Sequence, residues 1–217
     1  MSIQKNLANI QQSIPHHVTL VAVSKTKPVS DLLEAYRAGQ RIFGENKIQE
    51  MTQKWEEMPK DIQWHMIGHV QRNKVKYMAE YVALVHGVDS LKLLKEIDKQ
   101  AKKYDRTIPC LLQVHIAEED TKFGFDREEL LLLIENPEFL GLKNVRVKGL
   151  MGMATFTNDQ DQVRREFKTI KQLYAVINTK ISTVDTLSIG MSGDYHIAIE
   201  EGSTMVRIGS SIFGARN

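Results

Sequence analysis

Three groups of residues in this chain could do chemistry together. Lys25 follows the β-forming run Val-Thr-Leu-Val-Ala-Val that ends at Val23. A partly buried lysine gives up its proton more readily and becomes a nucleophilic amine, able to form a Schiff base with a carbonyl. Much later stand Gly190-Met191-Ser192-Gly193-Asp194 and Gly209-Ser210-Ser211, the second with Arg207 just before it. Glycine lets backbone N–H groups approach an oxyanion, serine adds donors, and a following helix N-terminus adds a favourable dipole. Each signal alone has a plain reading: a solvated lysine, a turn, another turn. Together they describe a site for a ligand that carries both a carbonyl and a phosphate.

The elements that must bring these residues together alternate along the chain. β-forming runs lie at 18–23, 41–44, 63–67, 83–86, 109–116, 145–151, 186–189 and 205–208. Helical patterns stand between them, and one further helix, 3–13, precedes the first strand. Gly39 stops the helix 30–38, and Ile48, Met51 and Trp55 share the face of the next. A helical segment starts near Gln71. Ser90 caps a helix whose apolar face is Leu91, Leu94, Ile97, Ala101 and Tyr104. Asp126 and Glu129 have capping-box spacing before Leu130, Leu133 and Ile134. Val163, Phe167, Ile170, Tyr174 and Ile177 step 4, 3, 4, 3 along a long helix, and a short one spans 195–200.

Strand-then-helix alternation implies a parallel sheet. Eight units average about 27 residues each, the compact end of the (β/α)8 barrel range. The expected fold is therefore α/β, a TIM barrel with an extra N-terminal helix, in one domain over residues 1–217. An open doubly wound sheet is the competing architecture; no G-x-G-x-x-G follows the first strand, so a dinucleotide site has no support. In a parallel barrel, functional groups collect at the C-terminal strand ends, with the phosphate site after strands seven and eight. The two Gly/Ser loops fall there. Val21, Val23 and Lys25 share one face of strand one. Sequence does not say which face points inward, because both faces of a barrel strand are buried. Pyridoxal 5′-phosphate (PLP) fits an amine facing a phosphate cradle, and so does an aldolase substrate.

Composition narrows the field. Apolar residues are 42% and charged residues 26%, as in an ordinary soluble globular protein. The single cysteine, Cys110, excludes an intramolecular disulfide and a multi-thiolate zinc site, and reads as a buried inert thiol. No apolar run approaches the roughly 20 residues of a membrane span, and the N-terminus has no signal core, so a cytoplasmic protein is expected. Lys and Arg number 29 against 27 Asp and Glu, so no global basic field points to nucleic acid.

The segments at the strand ends carry a resemblance. Ala22-Val-Ser-Lys-Thr26, Phe43-Gly-Glu-Asn46, Trp64-His-Met-Ile-Gly68 with Gln71 and Asn73-Lys74, Lys148-Gly-Leu-Met151, Leu187-Ser-Ile-Gly-Met-Ser192 with Asp194, and Gly202-Ser-Thr-Met-Val-Arg-Ile-Gly209 with Ile212-Phe-Gly214 occur in order over nearly the whole chain. In this it resembles the pyridoxal phosphate homeostasis protein family, also called proline synthetase co-transcribed proteins. These are single-barrel relatives of the alanine racemase N-terminal domain, with a PLP fold type III-like barrel. Ile189 and Val70 depart from the pattern, where methionine and leucine are expected.

The resemblance implies PLP as cofactor and a set of binding residues. Lys25 matches the lysine that holds PLP as a Schiff base. Arg207 matches the arginine facing the pyridine nitrogen, and Ser192, Gly209 and Ser210 match phosphate contacts. Asn46 matches a polar residue of the pocket, and Met151 a residue packed near the ring. An arginine does not readily surrender a proton, so it leaves the pyridine nitrogen unprotonated and the ring a weaker electron sink. The resemblance also implies a role in PLP homeostasis: a protein that holds and exchanges PLP without robust amino-acid turnover, with apo PLP-dependent enzymes as partners.

An amino-acid racemase is the alternative. Alanine racemase takes its second proton carrier from a C-terminal β-domain of the partner subunit, and the chain ends at Asn217, three residues past Gly214. That disfavours the racemase and makes a monomer the expected state. An aldolase leaves Arg207 unexplained. No metal site is expected: His16 and His17 are adjacent and do not face each other on a helix. His65, His69, His86, His115 and His196 lie on separate elements and read as packing or satisfied polar residues.

Overall fold

The computed structural model describes residues 2–118 and 123–214. After α1 (Ile3–Ser13) the chain runs β1 (Thr19–Val23), α2 (Val29–Arg37), β2 (Ile42–Glu45), α3 (Ile48–Glu57) and β3 (Gln63–Met66). A 3₁₀ segment (Arg72–Tyr77) leads to β4 (Leu84–Val88), α4 (Leu91–Lys102), β5 (Ile108–Gln113), α5 (Arg127–Glu135), α6 (Pro137–Leu140) and β6 (Val145–Met151). Then come α7 (Gln160–Lys180), β7 (Thr186–Ser188), α8 (Tyr195–Glu200), β8 (Met205–Ile208) and α9 (Ser210–Phe213). Neighbouring strands pair in parallel in chain order, and β8 pairs back onto β1 with Val21 opposite Arg207. The sheet closes, and the barrel rather than the open sheet is the fold.

The local signals act as their chemistry requires. Ser90 Oγ accepts the Leu93 N–H at 3.3 Å. The Asp126 and Glu129 side chains each accept the other's backbone N–H, a complete capping box. Three stretches differ from the periodicity. The segment after Gln71 is a 3₁₀ turn held by i→i+3 bonds such as Met78 N–H to Val75 O at 3.1 Å. β5 stops at Gln113, where its pairing with β6 ends and Val114 bridges to Phe125 instead. Helices α6 and α9 have four residues each, too short to write a periodic pattern.

Two apolar bodies result. The larger fills the layer between barrel and helices and includes Ala22, Phe43, Val85, Leu112 and Phe167. The smaller lies inside the barrel and consists of Val21, Leu84, Leu111, Met151 and Met205, with Ile42 against it. Val21 and Ala22 thus point to opposite bodies, which settles the face of β1: Val21 is inside, and by period two so is Val23, while Lys25 follows in the turn beyond the strand.

Candidate functional site

A cleft of about 740 Å³ opens at the C-terminal end of the barrel. Lys25, Asn46, Ser192, Arg207, Gly209 and Ser210 all line it, although they come from four different strand ends. Met151 does not. It is buried in the apolar body inside the barrel, and the residue that reaches the cleft from this stretch is Met153, two positions on and outside β6. Lys27 also lines the cleft, and its Nζ donates to the Phe213 carbonyl at 3.0 Å, tying the β1 loop to α9. At the β2–β3 rim a Cβ on Gly68 would lie 2.5 Å from the Asn46 carbonyl oxygen, so only glycine lets these two strand ends close on each other.

One end of the cleft suits an anion. Gly190 has φ +96°, and a Cβ there would lie 2.6 Å from that of Ala198. The loop that follows is held by Asp194, whose Oδ1 accepts the Met191 N–H at 2.5 Å. Burial pushes the Asp194 carboxyl up, against the backbone bond and Arg207. Ser192 Oγ accepts the Gly209 N–H at 3.3 Å, which joins the two Gly/Ser loops. Among the described residues, the N–H groups of Ser210 and Ser211 donate to no acceptor. Two hydroxyl-bearing residues with undirected backbone donors beside the cleft are what a phosphate needs.

Arg207 stands below this end, 4% exposed. Its Nη1 donates to the Ser188 carbonyl at 2.8 Å and to Ser188 Oγ at 2.7 Å, and Nη2 donates to the Gly152 carbonyl at 3.0 Å. A guanidinium has five N–H groups. Among the described residues none accepts from Nε, so donors remain for a ligand in the cleft. Burial lowers the pKa to about 10, with Asp194 opposing.

The polar contacts continue across the barrel interior. Ser188 Oγ lies 3.1 Å from His86 Nδ1, and His86 Nε2 lies 3.0 Å from His65 Nδ1. Arginine can only donate, so Ser188 must accept from it and is free to donate its own hydrogen to His86. Either ring can be the donor in the His65–His86 contact, according to its tautomer. Burial drives His65 down to about 3, and burial with the neighbouring His65 and Arg207 drives His86 well below the usual imidazole value. Burial thus favours the neutral form of both rings.

Sequence reasoning places Ser24, Glu45 and His69 at strand ends but does not give their contacts. Ser24, Glu45 and Lys54 form a buried cluster beside Lys25. Burial holds the Glu45 carboxyl above its usual range, with Lys54 and Ser24 opposing. Gln113, the last residue of β5, lines the cleft and donates to the Phe123 carbonyl at 3.3 Å; a polar residue closing an apolar strand was the available signal. His69 lines the cleft, pairs through Nδ1 with Asp89 at 3.1 Å and touches the Phe123 ring. Phe123, Met153 and Phe156 stand exposed around the mouth. Met153 follows strand six among the rim residues expected from the sequence; nothing in the sequence marks Phe123 and Phe156. The geometry therefore offers a half-buried amine, an anion-binding end and a buried guanidinium with unused donors, all in one cleft.

The family model for the alanine racemase N-terminal domain matches residues 1–217. The pyridoxal phosphate homeostasis protein of Vibrio alginolyticus is 38% identical over 231 residues, covering 100% of this chain and 98% of that one. The protein of the same name from Escherichia coli K12 is 36% identical, covering 99% and 97%. Among solved structures, PipY of Synechococcus elongatus PCC7942 without PLP superposes with a TM-score of 0.92 at 33% identity, over 98% of this chain and 100% of that one. The same protein with PLP bound gives 0.88 at 33% identity with equal coverage. Alanine racemase of Clostridium difficile 630 shares the fold, with a TM-score of 0.80 at 14% identity over 99% of this chain and 57% of the racemase.

Proposed function

The chain belongs to the pyridoxal phosphate homeostasis protein family, and on that premise we propose that it binds PLP in the cleft and buffers or delivers the cofactor inside the cell. In this reading the whole chain is a single PLP-binding barrel domain. Lys25 holds the PLP aldehyde as a Schiff base, and the phosphate rests on Ser192, Gly209 and Ser210. Arg207 donates to the pyridine nitrogen, and Asn46 lines the pocket. Met151 has no direct contact in this reading; it supports the site from beneath.

The observation that carries the reading is the buried Arg207 with unused N–H groups, in one cleft with Lys25 and the anion-binding loops. Three protein groups accept from Arg207, and the buried N–H groups left over are costly unless a ligand accepts from them. A pyridine nitrogen is such an acceptor. The bound cofactor supplies an aldehyde carbon for the amine and an electron-withdrawing ring. An arginine partner keeps that ring neutral and limits its pull on a substrate carbanion. The acceptors are apo PLP-dependent enzymes, and the compartment is the cytoplasm, where a buried thiol such as Cys110 stays reduced.

The test is a visible spectrum of the PLP-loaded protein before and after borohydride. A yellow protein with the cofactor fixed on Lys25 is expected, and Lys25→Ala should lose the band. Label on Lys27 or Lys47 instead, or a Lys25→Ala protein with the full band, would refute the assignment. L-alanine added to the same preparation should give no D-alanine above background; robust racemisation would make the protein an enzyme.

A further inference from the structure

Lys25 is mounted on an unfavourable corner of the chain. Residues Ser24 to Lys27 form a turn closed by the Lys27 N–H donating to the Ser24 carbonyl at 3.1 Å. Lys25 is its second residue and Thr26 its third, with φ +64°. A positive φ at the third position is the type II pattern, which selects Gly or Asn there. A β-branched residue in this region is an outlier, and such strain persists only where the surroundings impose it.

The surroundings that impose it belong to α3. Glu50 Oε1 accepts the Thr26 N–H at 2.6 Å. One helical turn on, Lys54 Nζ donates to the Ser24 carbonyl at 2.8 Å, to Glu50 Oε1 at 2.7 Å and to Glu45 Oε1 at 2.8 Å. Ser24 Oγ donates to Glu45 Oε1 at 2.6 Å. Backbone groups on both sides of Lys25 thus end on charged atoms of one helix, and all three N–H groups of Lys54 are engaged. Lys54 and Glu45 are buried, a costly placement for charges that only needed to stabilise a helix.

We propose that Glu50 and Lys54 are positioning residues for Lys25: the pair clamps the Ser24–Lys27 turn in its strained form and so holds the amine facing the cleft. A fixed amine condenses faster with an aldehyde held in the same cleft, its nitrogen bonding the aldehyde carbon while the oxygen leaves as water with the two amine hydrogens, because less orientation is lost on the way. The inference rests on the reading of Lys25 as the PLP-linking residue.

The test is the rate of linkage formation when PLP is added to the apo protein, read from the visible band, with total bound PLP and melting temperature measured alongside. Glu50 is partly exposed, so Glu50→Ala should fold. It is expected to bind PLP but form the linkage about tenfold more slowly. Glu50→Gln keeps an acceptor for the Thr26 N–H and should recover most of the rate. So should Glu50→Ala combined with Thr26→Gly, because glycine adopts the positive φ without a clamp. Recovery through residue 26 is a result that general damage to α3 would not give. A Glu50→Ala protein at the wild-type rate overturns the proposal, and so does a slow one that neither companion variant rescues. A wild-type protein with no borohydride-fixed label on Lys25 overturns the underlying PLP reading, and this inference with it.

Discussion

Arg207 is a buried cation whose nearest partners are neutral: two carbonyls and a hydroxyl. Its position therefore depends on Ser188 more than on any ion pair. Ser188→Ala removes the 2.7 Å bond to Nη1 and leaves the guanidinium looser against the ligand. A hydrogen bond to a charged group contributes about 1.5–3 kcal/mol, so PLP affinity should fall about tenfold or more by equilibrium dialysis. An unchanged affinity would show that Gly152 and the Ser188 carbonyl suffice. At this scale the sequence was legible where residue type restricts role. Lys25, Arg207 and the Gly/Ser loops stand out because few residues can be an amine, a permanent cation or a close-approach backbone. Whether Met151 points into the barrel or over its rim was not legible, because a methionine at a strand end can do either. Glu50 and Lys54 were invisible because i,i+4 charges on a helix read as a solvated face.

The elements carry the site by their ends. β1 delivers Lys25, the loop after β7 delivers Ser192, and β8 delivers Arg207 and then Gly209. α3 has a second task besides covering the barrel with Ile48 and Met51, since its first turns also face the Lys25 loop. The helices were legible where caps and periodicity agree, and α5 is the clearest case. Its capping box should matter measurably: Asp126→Ala is expected to cost about 1 kcal/mol, seen as a lower urea midpoint with an unchanged slope. An unchanged midpoint would mean that packing of Leu130, Leu133 and Ile134 alone holds this helix. The 3₁₀ segment and the four-residue helices were not legible, since tertiary packing rather than propensity sets so short an element.

Closure of the barrel places His65 and His86 in its interior, away from water. Both pKa values are depressed in the folded state, His65 to about 3. In the unfolded chain each titrates near 6.5. Below that pH the unfolded state binds protons that the native state refuses, so stability is full above about 6.5 and falls as pH drops toward the folded values. Between pH 6.5 and 5.0 the pair should account for a loss of about 3 kcal/mol. Urea unfolding at the two pH values checks this, with a His65→Phe/His86→Phe double variant as reference. Equal losses in both proteins would mean that the rings are protonated in the native barrel.

By itself the sequence determined the alternation of strands and helices, hence the barrel, and the residue types needed to hold a carbonyl and a phosphate. Those follow from local rules: period, caps, and the chemistry of lysine, arginine and glycine. Only the tertiary structure decided which face of β1 is inside, where Met151 lies, and what fixes Arg207 and the Lys25 turn. The reason is that both faces of a parallel strand are buried, so an apolar run does not encode direction. The partners of a buried polar group, too, come from strands and helices distant in the chain and meet only when the sheet closes.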